Sequence, residues 1–264
     1  MKVTSIYIFF VAIQMNDYSV LPSLFRDEYH ENEKSICNEI INICCDDFEK
    51  DKSALDKLIR MQHFGLPTRL LDVTKNPLVA LYFSLKENPE CNGDVIIFKV
   101  EKDKVKHHES DTISCLSNIY NLAELEKNKI REFFINNADE FINENLMSID
   151  KFNDHQELKR LVQFIRNEKP YFLNKIKPSD LFNLFFVSGK LSNPRIRAQS
   201  GCFIVFGDGA IFDDEKTNTE HIIVDKDKKN DILNELNKIG VNKHSIFPDI
   251  TSAAEIIKND YQKK

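Results

Sequence analysis

Three runs of β-branched and aromatic residues stand far apart in this chain, and their separation constrains the fold more than any other feature. They are Ser5 to Ile13, Asp94 to Val100 and Gly201 to Phe206. Runs of this kind suit strands buried on both faces. Helical segments lie between them, so the strands can meet only in a sheet assembled from the ends and the middle of the chain. This predicts an α+β fold: a small central β-sheet formed by N-terminal, middle and C-terminal strands, with a helical layer or insertion. A chain of 264 residues can build such a core without disulfide or metal staples.

Ile36, Ile40, Ile43 and Cys44 recur at helical spacing and predict one buried stripe. A short helix carries Leu55, Leu58 and Ile59 towards Met61. A turn is expected at Asn16-Asp17. Asn76-Pro77 is a helix start, with Asn as cap and Pro at the first position, and Leu78, Leu81, Tyr82 and Leu85 form its stripe. Residues 107 to 180 read as mainly helical, most clearly at Leu158, Leu161, Val162 and Ile165. Phe182 to Phe186 reads as core. Ala210-Ile211-Phe212 and His221 to Val224 are further strand signals, and a last helix through Leu236 stops at Gly240. No repeat or linker divides the chain, so residues 1–264 are expected to form a single domain with a helical insertion at about 107–180.

The N-terminal apolar run reads as a buried strand in preference to a signal peptide. No stretch approaches the ~20 apolar residues that cross a bilayer. The six cysteines lack zinc spacing and read as reduced thiols, so a soluble, cytoplasmic protein without a metal site is expected. Lys+Arg number 36 and Asp+Glu 42, a net charge of −6, which argues against nucleic acid as a partner. Walker, G-x-G-x-x-G, G-x-S-x-G and H-E-x-x-H signatures are all absent.

Chemistry concentrates in two places. Residues Gln62 to Thr74 bring His63, Thr68, Arg69, Asp72 and Thr74 into a loop ahead of a helix N-terminus, a position that favours anions. Arg69 would clamp a phosphate or carboxylate there, with His63 near the reactive bond. The second place is Asn193 to Phe203, read as a polar lead into a strand, whose alternation would put Arg195, Arg197 and Gln199 on one face. Structural readings stand beside both. Arg69 and Asp72 would pair with each other or tie the loop to neighbouring backbone, His63 would be a core histidine, and the second arginines would belong to a solvated edge strand with Arg–carboxylate pairs.

Gln62-His63-Phe64-Gly65-Leu66-Pro67-Thr68-Arg69-Leu70-Leu71-Asp72, then Thr74 and Asn76 to Phe83, resembles the core signature of the FRG domain family. The likeness extends upstream to Leu21-Pro22-Ser23-Leu24-Phe25-Arg26 and downstream to Arg195-Ile196, Gln199, Gly201 and Phe247-Pro248-Asp249. Where the family's namesake Phe-Arg-Gly is expected, this chain reads Phe9-Phe10-Val11. A more distant likeness is to ADP-ribosyltransferases, through Asp72-Val73-Thr74 with Ala80 and Phe83, and through Gln199-Ser200-Gly201, which has Gly201 at the position of the catalytic Glu. These resemblances imply a nucleotide-binding pocket with NAD as the ligand or substrate. They imply His63, Asp72 and Gln199 as its catalytic groups and Gln62, Thr68, Arg69, Thr74, Arg195 and Arg197 as its binding groups. They also imply a bacterial or phage-associated role in defence or toxicity. The rival readings are a non-enzymatic module that senses a signal or a protein partner, its motif residues bracing the fold, and a nuclease.

Overall fold

The computed structural model describes residues 6–14, 20–26, 28–86, 89–141, 144–188, 194–212, 218–250, 253–254, 257–258 and 261; the turn expected at Asn16-Asp17 lies outside them. The strands are β1 (Ile6–Gln14), β2 (Leu70–Thr74), β3 (Gly93–Glu101), β4 (Val105–His107), β5 (Leu184–Ser188), β6 (Gly201–Phe206) and β7 (Thr219–Val224). They form one seven-stranded sheet in the order β4-β5-β6-β2-β1-β3-β7. β4 and β5 run parallel, and every other pair is antiparallel. The main helices are α1 (Glu33–Ile43), α2 (Ala54–His63), α3 (Pro77–Lys86), α4 (Asp111–Asn118), α5 (Glu124–Asn136), α6 (Leu146–Asn153), α7 (Gln156–Glu168), α8 (Pro194–Ala198) and α9 (Lys229–Lys238). The α+β architecture therefore holds, and α4 to α7 fall in the stretch expected to be helical.

The sheet is not flat. Three strand spacings separate β1 from β5, about 14 Å in a flat sheet, yet the Phe9 and Phe186 ring centroids lie 4.8 Å apart. Phe98 on β3 also meets Phe186, at 5.5 Å. The two halves of the sheet curl towards each other and enclose Phe9, Val11, Ile96, Phe98, Ile204 and Phe206. The fold line runs between β1 and β2, which share one register pair, Phe10 with Thr74. β1 is matched to β3 along its whole length.

The outer face carries two separate helical covers. Leu58 and Met61 of α2, Leu116 of α4 and Leu161 and Ile165 of α7 pack over Leu70, Phe203 and Val205. On the other half, Tyr82 and Leu85 of α3 join Val224, Leu236 and Ile246. Leu78 Nα donates to Asn76 Oδ1 at 3.0 Å, which caps α3 as expected. Gly93 starts β3 directly beneath α3, where an added Cβ would run into the Ser84 carbonyl.

A buried ion cluster ties these layers together. Arg69, 1% exposed, donates to both Glu33 carboxylate oxygens at 2.7 and 2.5 Å and to the Phe206 carbonyl at 2.8 Å. Lys127 of α5 adds a third contact to Glu33 at 2.6 Å. This cluster explains the first departure from the sequence reading. α1 buries Glu33 and Cys37, and Ile43 is 71% exposed. The two cations draw Glu33 inward and so set which face of α1 packs.

Other expectations are corrected as well. The Gln62–Thr74 segment is a loop only in part, because Leu70 to Thr74 is a strand paired with β6. The stretch after Asn193 is the helix α8, not a strand lead-in: Pro194 occupies its first turn, and Ser200 at φ 48° ends it. Ala210 to Phe212 is irregular, and Phe212 packs on Phe98. β4 and β5 were not read as strands, although Phe185 and Phe186 are core as expected. All six cysteines are free thiols; Cys37, Cys115 and Cys202 are buried and Cys45 is exposed.

Burial by itself would raise the Glu33 pKa, but Arg69 and Lys127 outweigh it and hold the carboxyl below its ordinary value. A depressed carboxyl contributes its stability in full above the ordinary carboxylate range and loses it as pH falls through the folded-state value. Glu33→Ala is expected to cost about 3–5 kcal/mol in urea unfolding, since it strips two buried cations of their shared carboxylate, and Arg69→Ala to cost less, because Lys127 still pairs with Glu33. Glu33→Gln should flatten the acid limb of a melting-temperature profile against pH.

Candidate functional site

A cleft of about 450 Å³ opens where the two helical covers part over the β1–β2 fold line. Its size is that of a small-molecule site. β1 contributes Phe10 to Ile13, and β2 contributes Leu70 to Thr74. α3 adds Val79, Ala80 and Phe83, α2 adds Gln62, and α8 adds Arg195 and Ile196, with Gln199 just beyond it. A side compartment of about 50 Å³ joins His63 to Gln62, Asp72, Arg195 and Gln199.

Asp72 is the acidic residue of this cleft among the described residues. Alternation along β2 puts it on the outer face with Leu70 and Thr74, opposite Phe203 of β6. Its side chain is accessible to the cleft yet ringed by protein. That crowding raises its pKa, against the opposing pull of the Gln62 hydrogen bond, Arg195 and His63. Gln62 Nε2 donates to Asp72 Oδ2 at 2.7 Å, and the fully buried Thr68 hydroxyl donates to Gln62 Oε1 at 2.8 Å.

The helical form of Arg195 to Ala198 matters here. Residues 195 and 199 are one turn apart and share a side, so Arg195 and Gln199 both reach the cleft. Arg197 is exposed and does not line it, which corrects its placement beside them. The Arg195 guanidinium lies 4.8 Å from the Phe247 ring centroid. Gln199 Nε2 donates to the Ile246 carbonyl at 3.3 Å. His63 ends α2 and is exposed. What burial it has, and then the neighbouring Arg195, lower its pKa below the ordinary value.

Three expected binding groups do other work. Arg69 is saturated by Glu33 and lines neither compartment; its partner is not Asp72. Thr68 is buried behind Gln62. Thr74 touches the cleft, but its hydroxyl donates to the Gln199 carbonyl at 2.6 Å and accepts from Asn76 N at 2.9 Å. One cleft residue, Arg26, was missed. It stands at the end of the mainly apolar Leu21 to Arg26 stretch, an isolated charge with no local motif around it.

For metals, His107, His108 and Glu109 bring ligand atoms within 4.8 Å of one another. They lie at the edge strand β4, three strands from β2, and the Lys169 ammonium sits on the Glu109 carbonyl and on Asp111. Among the described residues, no helix is long and apolar enough to cross a membrane.

A family model for the FRG domain matches residues 9–92. The match runs from β1 past α3 and includes Arg26, Gln62, His63, Thr68, Arg69, Asp72 and Thr74. Arg195, Arg197 and Gln199 lie beyond it. No curated protein and no solved structure matches the chain.

Asp72 carries a raised pKa, so its charged form costs folding stability as pH rises from the ordinary value through the folded one. Asp72→Asn is therefore expected to melt no lower than the wild type at pH 7, with the difference shrinking on acidification, as scanning calorimetry would show.

Proposed function

We propose that this chain, which carries an FRG domain over residues 9–92, binds a ribonucleotide of the NAD class in the cleft at the β1–β2 fold line. The observation that carries this reading is the meeting of Asp72 and Arg195, from remote stretches of chain, in one concavity that Arg26 also lines. Arg195 and Arg26 hold phosphate, and Arg26 replaces Arg69 in that role. Asp72 accepts hydrogen bonds from ribose hydroxyls. Phe10 and Phe83 offer apolar surface to a base or nicotinamide ring. The whole chain acts as one unit, since the matched segment supplies Asp72 and the C-terminal part supplies Arg195.

An NAD-glycohydrolase or ADP-ribosyltransferase step fits the same groups. The bond between ribose C1′ and the nicotinamide nitrogen breaks, nicotinamide leaves with the bonding pair, and water or a target nucleophile bonds to C1′. The Asp72 carboxylate stabilises the oxocarbenium-like transition state, and the neutral His63 ring accepts the nucleophile's proton. An effector role in defence or toxicity would follow from consuming NAD in this way.

A second reading draws on a specific observation: Thr68, Arg69 and Thr74 are all engaged by internal partners. In that reading the motif braces the fold, and the cleft senses a ligand without transforming it.

Calorimetric titration of the full chain with NAD, ADP-ribose and ATP tests the ligand. Binding of NAD and ADP-ribose is expected, with at least about a tenfold loss in Arg195→Ala and in Arg26→Ala. Folded protein that gives no heat with any of the three rules the ligand class out. Chromatography of nicotinamide then separates the readings: release that Asp72→Asn abolishes marks an enzyme, and binding without release marks a sensor.

A further inference from the structure

We infer that Gln62 and Thr68 are positioning residues which hold Asp72 by one carboxylate oxygen and leave the other to act in the cleft. The inference rests on the cleft reading above for its function, but its geometry stands independently. Thr68 is fully buried in the connection just before β2, and its hydroxyl accepts from Leu70 N at 3.3 Å while donating to Gln62 Oε1 at 2.8 Å. That donation fixes which end of the Gln62 amide faces Thr68. The other end, Nε2, must then face Asp72, and it does so at 2.7 Å from Oδ2.

The order of the chain is dictated by chemistry. An ionised carboxylate only accepts hydrogen bonds, so it needs the NH₂ end of the amide, and the carbonyl end then needs a donor. Thr68 is that donor. With Oδ2 held by Gln62, Oδ1 keeps both of its lone pairs for the cleft, on a side chain that lines both compartments with Arg195. The relay explains why three residues of the matched motif, spaced 62, 68 and 72, serve one functional oxygen. α2 contributes the amide, the connection after it the hydroxyl, and β2 the carboxylate. Neither Gln62 nor Thr68 then needs to touch ligand. The hydrogen bond from Gln62 also favours the charged carboxylate against the crowding that disfavours it.

The test is a pH titration of the Asp72 side-chain carboxyl by carbon-13 NMR on the full-length chain, the signal being assigned by its loss in Asp72→Asn. Gln62→Leu removes the donor, and Thr68→Val removes the hydroxyl that orients it. Thr68→Ser keeps the hydroxyl. The midpoint is expected to move upward in Gln62→Leu, upward by less in Thr68→Val, and to stay at the wild-type value in Thr68→Ser. Gln62→Leu should fold but melt below wild type, because Gln62 is only half-buried while the buried Thr68 hydroxyl loses its acceptor. An unchanged midpoint in a folded Gln62→Leu overturns the relay, whatever Thr68→Val does. Titration with NAD and ADP-ribose runs in parallel. A shifted midpoint with no nucleotide binding to the wild type sinks the ligand reading and leaves the relay standing. Nucleotide binding with an unshifted midpoint does the reverse.

Discussion

Glu33, held between Arg69 and Lys127 in the interior, is the contact on which the rest of this molecule depends. It joins α1, the residue that opens β2, and the helical layer, and Arg69 extends the link to the end of β6 through the Phe206 carbonyl. The Phe206 amide returns the bond to the Arg69 carbonyl at 3.1 Å. This bond continues the β2–β6 register by one residue beyond β2. In a strand a slip of one residue turns every side chain to the opposite face, and the register that pairs Asp72 with Phe203 puts Asp72 on the face that the helices cover. A buried ion cluster is a costly way to gain stability; here its evident product is placement.

Placement matters because the sheet nearly divides at β1 and β2. Each half is covered by its own helices, and the covers part over the division, touching where Arg195 and Gln199 reach Phe247 and Ile246. The result is a hollow floored by two strands and walled by α3 on one side and by α2 and α8 on the other. Its polar groups thus come from four separate elements, and the segment carrying the family signature supplies only part of the wall.

Much of the architecture was legible in the sequence. β1, β3, β6 and β7 announce themselves through apolar runs, and α3 and α9 through their end signals. β2 did not, because five residues interrupted by Asp72 show neither clean alternation nor an apolar run. α8 was misread because Arg-Ile-Arg-Ala-Gln alternates like a strand, whereas Pro194 was the cue that favoured a helix. Arg69 illustrates a different limit. A charged residue inside a distinctive motif has the appearance of a ligand group, and no local pattern reveals that its acid lies on another helix. Asp72, Gln62, Arg195 and Gln199 stand out by residue type and line the cleft, with His63 in its side compartment; Arg26, an isolated charge at the end of an apolar loop, shows no such pattern.

The meeting of Phe9, Phe98 and Phe186 behind the cleft has a mechanical consequence. Aromatic contacts close the back of the sheet where few ladder hydrogen bonds cross its front. The angle between the two halves is therefore set by side-chain packing at the rear more than by the ladder at the front. Phe186 thus joins the two halves across the fold line while lining neither compartment of the cleft.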